Sequence, residues 1–326
     1  MNILVTGGAG FIGSCFVRHM LNKYPDYKII NLDALTYAGN IENLDDVKDN
    51  PNYTFIHGNI CDKKLAQELI SQVDCVVNFA AESHVDRSIT GPEIFIETNI
   101  KGTLNLLQTA KEVGVERYLQ VSTDEVYGSL GKTGYFYETT PIAPNSPYSA
   151  SKASADMLVR AYWETYKLPV LTTRCSNNYG PYQYPEKLIS FFISKLLKGE
   201  KVPVYGDGLN VRDWLYVYDH CKAIDTVLHK GKLGEVYNIG GHNEKTNLEI
   251  THLILNAMGK DESSIEYVQD RLGHDRRYAI SNDKITSELG WSPSLTFEEG
   301  IKLTIDWYLN NQEWIKNIEK KKLGIK

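Results

Sequence analysis

Apolar positions in the first half of this chain gather in short blocks separated by longer stretches in which they recur at helical spacing. Residues 2–6 read as a buried strand, followed by a Gly-rich turn and an amphipathic helix over 11–23. Further strands are predicted at 27–33, 53–57, 74–79, 116–123 and 169–174. One intervening helix begins near Pro92, a favoured first helical position, and stops at Gly114. Another opens around Pro147 and runs to Tyr166, before the Leu168-Pro169 break. Strict alternation of this kind predicts an α/β fold, a doubly wound parallel (Rossmann) sheet with helices on both faces.

Past about residue 175 the strand signals shorten, to 202–205 and 235–239, and turn-rich pieces such as Tyr205-Gly206-Asp207-Gly208 separate them. A last clear helix covers 297–310. The pattern predicts a large domain over 1–175 and a smaller mixed C-terminal lobe over 176–326, with some of its segments returning to the large domain. There is no internal repeat and no low-complexity linker, so the two parts are expected to pack intimately.

Composition narrows the classes. The 326 residues are 42% hydrophobic and carry a net charge of −6, enough for a sizeable core and without the basic stripe of a nucleic-acid surface. The Lys-rich stretch 316–326 reads as a solvated tail. Five cysteines (Cys15, Cys61, Cys75, Cys175, Cys221) form no C-x-x-C pair and fit reduced thiols in the cytoplasm. The N-terminus runs straight into a strand without a signal-like segment, no stretch approaches the ~20 apolar residues of a membrane span, and no cluster has metal-ligand spacing.

Three motifs carry chemistry. Gly7-Gly8-Ala9-Gly10-Phe11-Ile12-Gly13 lies between the first strand and first helix. There Gly7 permits a tight turn, Gly10 lets the backbone approach a pyrophosphate, and Gly13 allows close helix–strand packing. Asp33, twenty residues after Gly13 at the end of the second strand, can accept hydrogen bonds from a ribose diol and would repel a 2′-phosphate, which favours NAD over NADP. Tyr-x-x-x-Lys occurs at Tyr24/Lys28, Tyr148/Lys152 and Tyr218/Lys222; only the second starts a long helix just after the fifth strand, where the two side chains share a face. A neighbouring ammonium is expected to lower the phenol pKa and make Tyr148 a usable base. Finally, Thr123-Asp124-Glu125 puts two acids where an alcohol oxidation needs none, and adding or removing water is the natural use for such a pair.

With these residues the chain resembles the extended short-chain dehydrogenase/reductases and, more narrowly, the dTDP-glucose 4,6-dehydratase family. The likeness runs through Ala80-Ala81-Glu82-Ser83-His84-Val85-Asp86-Arg87-Ser88, Tyr148-Ser149-Ala150-Ser151-Lys152, Arg174-Cys175-Ser176-Asn177-Asn178-Tyr179-Gly180-Pro181 and Arg212-Asp213-Trp214, and covers nearly the whole sequence. It implies that Tyr148, helped by Thr123 and Lys152, takes the proton of the sugar C4 hydroxyl as hydride passes to NAD. Glu125 would remove the C5 proton and Asp124 would protonate the departing C6 hydroxyl. It further implies NAD contacts from Gly7, Gly10, Phe11, Ile12, Gly13, Asp33, Leu35, Thr36, Asn59, Ile60, Ala80, Ala81, Thr98, Tyr148, Lys152 and Asn178. A nucleotide-sugar cleft is implied from Ser83, Thr123, Asn177, Glu186, Lys187, Leu188, Pro203, Tyr205, Arg212, Asn247, Arg271 and His274, with Arg212 and Arg271 on the diphosphate. Asn59 stands where the family usually has an aspartate near the adenine.

Alternatives within the resemblance are a nucleotide-sugar 4-epimerase, which has no use for Asp124 and Glu125, and a dehydratase for another nucleotide sugar. A non-catalytic NAD-binding protein would not need all five catalytic positions intact. The family pattern also implies a homodimer through the helix of 92–113 and the Tyr148 helix, with Leu104, Leu107, Leu158 and Tyr162 as apolar candidates that core packing would explain equally.

Overall fold

A computed structural model describes residues 1–270 and 274–322 of the chain. In chain order its strands are β1 (Asn2–Thr6), β2 (Lys28–Asp33), β3 (Tyr53–His57), β4 (Cys75–Asn78), β5 (Arg117–Thr123), β6 (Val170–Cys175), β7 (Asn177–Tyr179), β8 (Val202–Tyr205), β9 (Val211–Tyr216), β10 (Val236–Ile239), β11 (Glu244–Thr246) and β12 (Ile265–Val268). The α-helices are α1 (Phe11–Lys23), α2 (Lys63–Ile70), α3 (Val85–Thr90), α4 (Glu93–Phe95), α5 (Thr103–Val113), α6 (Pro147–Tyr166), α7 (Leu188–Leu197), α8 (Val217–Lys230), α9 (Asn247–Ala257), α10 (Asp283–Leu289), α11 (Phe297–Asn310) and α12 (Gln312–Lys322).

Seven parallel strands form the main sheet in the order β10-β6-β5-β4-β1-β2-β3. Side chains alternate faces along a strand, so a strand covered on both sides must be apolar at every position. β1 shows this directly. Ile3 and Val5 join the core under α1 and α8, whereas Leu4 points into the opposite core with Leu106, Leu107, Tyr118 and Val159. All three are fully buried, and truncating such a residue to Ala costs about 2–5 kcal/mol. The strand order reverses between β1 and β4, and the crevice this opens at the carboxyl ends of the strands is where such folds take ligands.

The later segments divide their allegiance. β10 returns to the main sheet beside β6, while β11-β9-β7 and β12-β8 form two small sheets. Their core is separate, built on Trp214, Ile193, Ile254, Phe297 and Tyr308.

Two helices set the site. Ser146 caps α6, its hydroxyl accepting the Ser149 N–H at 3.0 Å, with Pro147 in the first turn. The chain leaves α6 through Lys167 in the left-handed region, ahead of Leu168-Pro169. The helix expected from Pro92 to Gly114 is not continuous. α4 passes into a π-helical stretch, Ile96–Gly102, before α5 resumes and ends at Gly114 with φ 81°. Leu107 and Tyr162 are buried in the chain's own core, while Leu104 is exposed. Among the described residues no helix is long and apolar enough to cross a membrane.

Candidate functional site

The Gly-rich turn makes a cradle at the carboxyl end of β1. Gly7 has φ 72°, and a Cβ there would stand 2.7 Å from the Ala80 nitrogen. A Cβ on Gly13 would meet the Gly7 carbonyl oxygen at 2.3 Å, so the helix can pack this closely only without a side chain. Gly10 caps α1 with no side chain to satisfy the first-turn N–H groups, leaving them and the helix dipole to an anion. Asp33 ends β2 and accepts the Ala9 N–H on Oδ2 at 2.9 Å and the Leu35 N–H on Oδ1 at 2.8 Å. Its carboxylate therefore braces the turn as well as facing the crevice, and burial raises its pKa. These residues fit the pyrophosphate and ribose of a dinucleotide.

One cavity of about 650 Å³ runs from this cradle to the second lobe. It brings together Gly7, Gly10, Phe11, Ile12, Gly13, Asp33, Thr36, Asn59, Ile60, Ala80, Ala81, Thr98 and Asn178 with Thr123, Asp124, Glu125, Tyr148 and Lys152. Ser83, Asn177, Glu186, Lys187, Leu188, Pro203, Tyr205, Arg212, Asn247 and His274 line the same cavity. Leu35 is not part of the wall; with φ 48° it packs against the α1-side core and offers its N–H to Asp33. The side-chain oxygen of Asn59 is taken by the Cys61 N–H at 2.9 Å. Arg271 lies outside the described residues.

At the cavity floor β5 delivers the acids. Thr123 caps a 3-10 turn over Asp124–Tyr127, its hydroxyl accepting the Glu125 N–H at 3.2 Å. Asp124 turns inward to 2% exposure, with Oδ2 lacking a hydrogen-bond partner. Burial first, then Glu125 and Asp213, push its pKa well above the usual carboxylate range, which favours its protonated form. Glu125 is only partly buried and accepts the Ser149 hydroxyl at 3.4 Å.

Tyr148 and Lys152 share one face of α6 beside these acids. Lys152 Nζ donates to the Val121 carbonyl of β5 at 2.8 Å, and burial lowers its pKa. The expected lowering of the tyrosine pKa does not appear in the protein's own groups. Burial, followed by Glu125, drives the Tyr148 phenol well up. The other two Tyr-x-x-x-Lys matches fall elsewhere. Tyr24/Lys28 straddles the α1–β2 connection, and Lys222 lies 4.7 Å from the Tyr218 ring on α8.

At the far end Arg212 is buried, donating to the Val211 and Asp275 carbonyls and facing the Tyr278 ring at 4.4 Å. His274 Nδ1 stands 2.6 Å from Asp270 Oδ1. Sequence reasoning missed Asn99, Tyr37 and Arg87. Asn99 is buried in the π-helical turn, and Tyr37 and Arg87 meet at the cleft mouth. Arg87 stood inside a segment that carried the resemblance, but only tertiary contacts reveal what Tyr37 and Arg87 do.

Among the described residues no group of His, Cys, Asp and Glu is arranged to hold a metal ion. Sheet order, Gly-rich cradle and the Tyr148/Lys152 pair define an extended short-chain dehydrogenase/reductase. A family profile described as GDP-mannose 4,6 dehydratase matches residues 4–304. A dTDP-glucose 4,6-dehydratase of Xanthomonas campestris is 56% identical, over 97% of this chain and 95% of that protein. The crystal structure of dTDP-glucose 4,6-dehydratase from Bacillus anthracis in complex with NAD is 58% identical, with a TM-score of 0.92 over 98% of this chain and 99% of that one. That of the Streptomyces venezuelae enzyme, with NAD and a second ligand bound, is 52% identical with a TM-score of 0.94 over 96% and 98%. The chain belongs to the dTDP-glucose 4,6-dehydratase family.

Proposed function

We propose that the protein converts dTDP-glucose to dTDP-4-keto-6-deoxyglucose with NAD as a resident cofactor. The observation that carries this reading is the Asp124–Glu125 pair beside Tyr148, with Asp124 buried so that it keeps its proton. An epimerase needs only the Tyr148 end of this arrangement.

The Gly7–Gly13 cradle and Asp33 would hold NAD, with Thr36, Asn59, Ile60, Ala80, Ala81, Thr98 and Asn178 along its length. When bound, NAD supplies the acceptor for the C4 hydride and the donor that later reduces C6. Tyr148 takes the C4 hydroxyl proton as its phenolate, a form that Lys152 and the positive charge of bound NAD would favour against the burial that raises the phenol, with Thr123 orienting it. The C4 ketone acidifies C5–H, and Glu125 removes that proton. Asp124 gives its proton to the C6 hydroxyl, which leaves as water. Glu125 then returns a proton to C5. Two carboxyls in different protonation states suit an elimination that needs a base and an acid together, each worth ~10²–10⁴ in rate. Ser83, Asn177, Glu186, Lys187, Leu188, Pro203, Tyr205, Arg212, Asn247, Arg271 and His274 would seat the nucleotide sugar. In this reading residues 1–175 serve chiefly the cofactor and 176–326 chiefly the sugar nucleotide.

The same reading takes the protein to be cytoplasmic, in keeping with its five free cysteines, and to feed deoxysugar synthesis, with rhamnose among the destinations. It also takes the protein to be a homodimer, for which the exposed Ile94, Ile96, Leu104 and Met157 on α4, the π-helical stretch, α5 and α6 supply apolar surface.

Incubation with dTDP-glucose in heavy water, without added NAD, tests the function. Loss of one water with deuterium at C5, by mass spectrometry and proton NMR, supports it. A galactose nucleotide of unchanged mass would select the epimerase instead.

A further inference from the structure

The sheet order β4-β1-β2 places β1 between the two strands whose following loops carry Ser83 and Tyr37. Both loops leave the carboxyl edge of the sheet, on either side of the turn that leaves β1. They meet: the Tyr37 hydroxyl lies 3.3 Å from Ser83 Oγ, and both residues line the same cavity as Gly10. The contact therefore spans the cradle.

Arg87, one turn into α3, fastens this span. Its guanidinium carbon stacks 3.8 Å from the centre of the Tyr37 ring, and its Nη2 stands 3.5 Å from Glu186 Oε2, on the chain leading into α7. His84 Nε2 faces the same oxygen at 3.6 Å, and Lys187 Nζ donates to the Ser83 carbonyl at 2.9 Å. Three separate segments thus converge on one point: the loop after β2, the start of α3, and the approach to α7. Nothing in the reaction chemistry above uses Arg87.

We propose that Arg87 is a positioning residue that pins the Tyr37–Ser83 bridge across the dinucleotide cradle, through Tyr37 and Glu186, and so governs how fast NAD leaves. The inference rests on the proposed use of NAD. A reaction that returns its hydride to the substrate keeps its cofactor between turnovers, and slow release suits that cycle. The joint of a stacked guanidinium and a half-buried ion pair is strong enough to hold a loop and weak enough to open.

The test compares wild type, Arg87→Ala and Arg87→Lys, each loaded with NAD and desalted, with release followed by chromatography of the free nucleotide. Arg87→Ala is expected to release NAD about tenfold faster. Arg87→Lys, which keeps a cation for Tyr37 and Glu186, is expected to recover part of the delay. With saturating NAD, kcat should stay within about twofold while KM for NAD rises, a split that a merely structural defect would not give. Equal release from wild type and Arg87→Ala overturns the proposal, as does a fall in kcat with release unchanged. A wild-type protein that takes up no NAD at all would fail earlier and would overturn the cofactor reading itself.

Discussion

Asn99 Nδ2 donates to the Ser151 hydroxyl at 2.8 Å, linking the π-helical turn to the helix that carries Tyr148 and Lys152. The same amide donates to the Glu82 carbonyl at 3.0 Å and accepts the Glu82 N–H at 2.9 Å. Ser151 in turn donates to the Tyr148 carbonyl at 2.7 Å. A π-helical turn shifts the side-chain register of the helix, and here it coincides with a buried amide that serves three partners. Replacing Asn99 with Ala leaves the backbone of Glu82 unpaired in the interior. The expected cost is ~1–3 kcal/mol in chemical denaturation, with a lower kcat because the first turn of α6 loses its tie. A variant as stable and as fast as wild type would remove Asn99 from the site's supporting structure.

Asp124 should leave a mark on the protein's pH behaviour. Asp124 is buried and its pKa is raised, so folding favours its protonated form. Its contribution to stability is complete below the unfolded carboxylate pKa, near 3.8, and is lost as pH rises through the folded value. Asp124→Asn is neutral at every pH and should melt higher than wild type in alkaline buffer, by about 2–4 °C, with no gain near pH 3. It should also lose ~10²–10⁴ in dehydration, because an amide has no proton to give. Melting curves across pH together with product assays would show both effects or neither.

Tyr148→Phe removes the phenolic oxygen that takes the C4 proton and little else, since the ring is buried against Phe95. The expected loss in kcat is ~10²–10⁴, with NAD content and melting temperature near those of wild type. Glu125→Gln offers the informative contrast. It should still oxidise C4 and accumulate reduced cofactor, visible by its absorbance, because only the C5 proton transfer is blocked. If Glu125→Gln gave no reduced cofactor, the assignment of the C5 base to Glu125 would fall.

Much of this was legible in the sequence because the signals are local. The cradle is one strand, a glycine-rich turn and one helix in direct succession, with Gly7 and Gly13 required by the close approach of backbone. α6 announces itself by Pro147 at its start and the Leu168-Pro169 break after its end. What stayed hidden depends on partners distant in sequence. The π-helical turn answers to Glu82 and Ser151, the small strands β7, β9 and β11 exist only through pairing with one another, and Leu35 turns inward because Asp33 holds its N–H. The Lys152 Nζ contact with the Val121 carbonyl of β5 is of the same kind, since no local pattern discloses it.

Behind the sheet, on the side away from α6, Asp225 of α8 is surrounded by groups from α1. His19 Nε2 and Lys23 Nζ each lie 2.7 Å from its Oδ2, the Tyr24 hydroxyl donates to Oδ1 at 2.9 Å, and His229 Nδ1 stands 2.8 Å from Oδ1. Burial opposes its charge, but the hydrogen bonds from His19, His229, Lys23 and Tyr24 outweigh it and hold the carboxyl far below the usual range. A depressed carboxylate contributes stability above its unfolded pKa, near 3.8, and loses it as pH falls toward the folded value. His229 acts in the opposite direction, its pKa raised by the hydrogen bond to Asp225, so its share is present below about 6.5 and fades as pH rises. Asp225→Asn leaves the surrounding cations without their anion and should cost ~3–5 kcal/mol at pH 6. The penalty should shrink below pH 4, where the wild-type unfolded state is itself protonated. Because α1 also presents the cradle, NAD affinity should weaken alongside. Urea denaturation at pH 6 and pH 3.5 would check the sign, and an equal penalty at both would show that packing, not charge, is what Asp225 supplies.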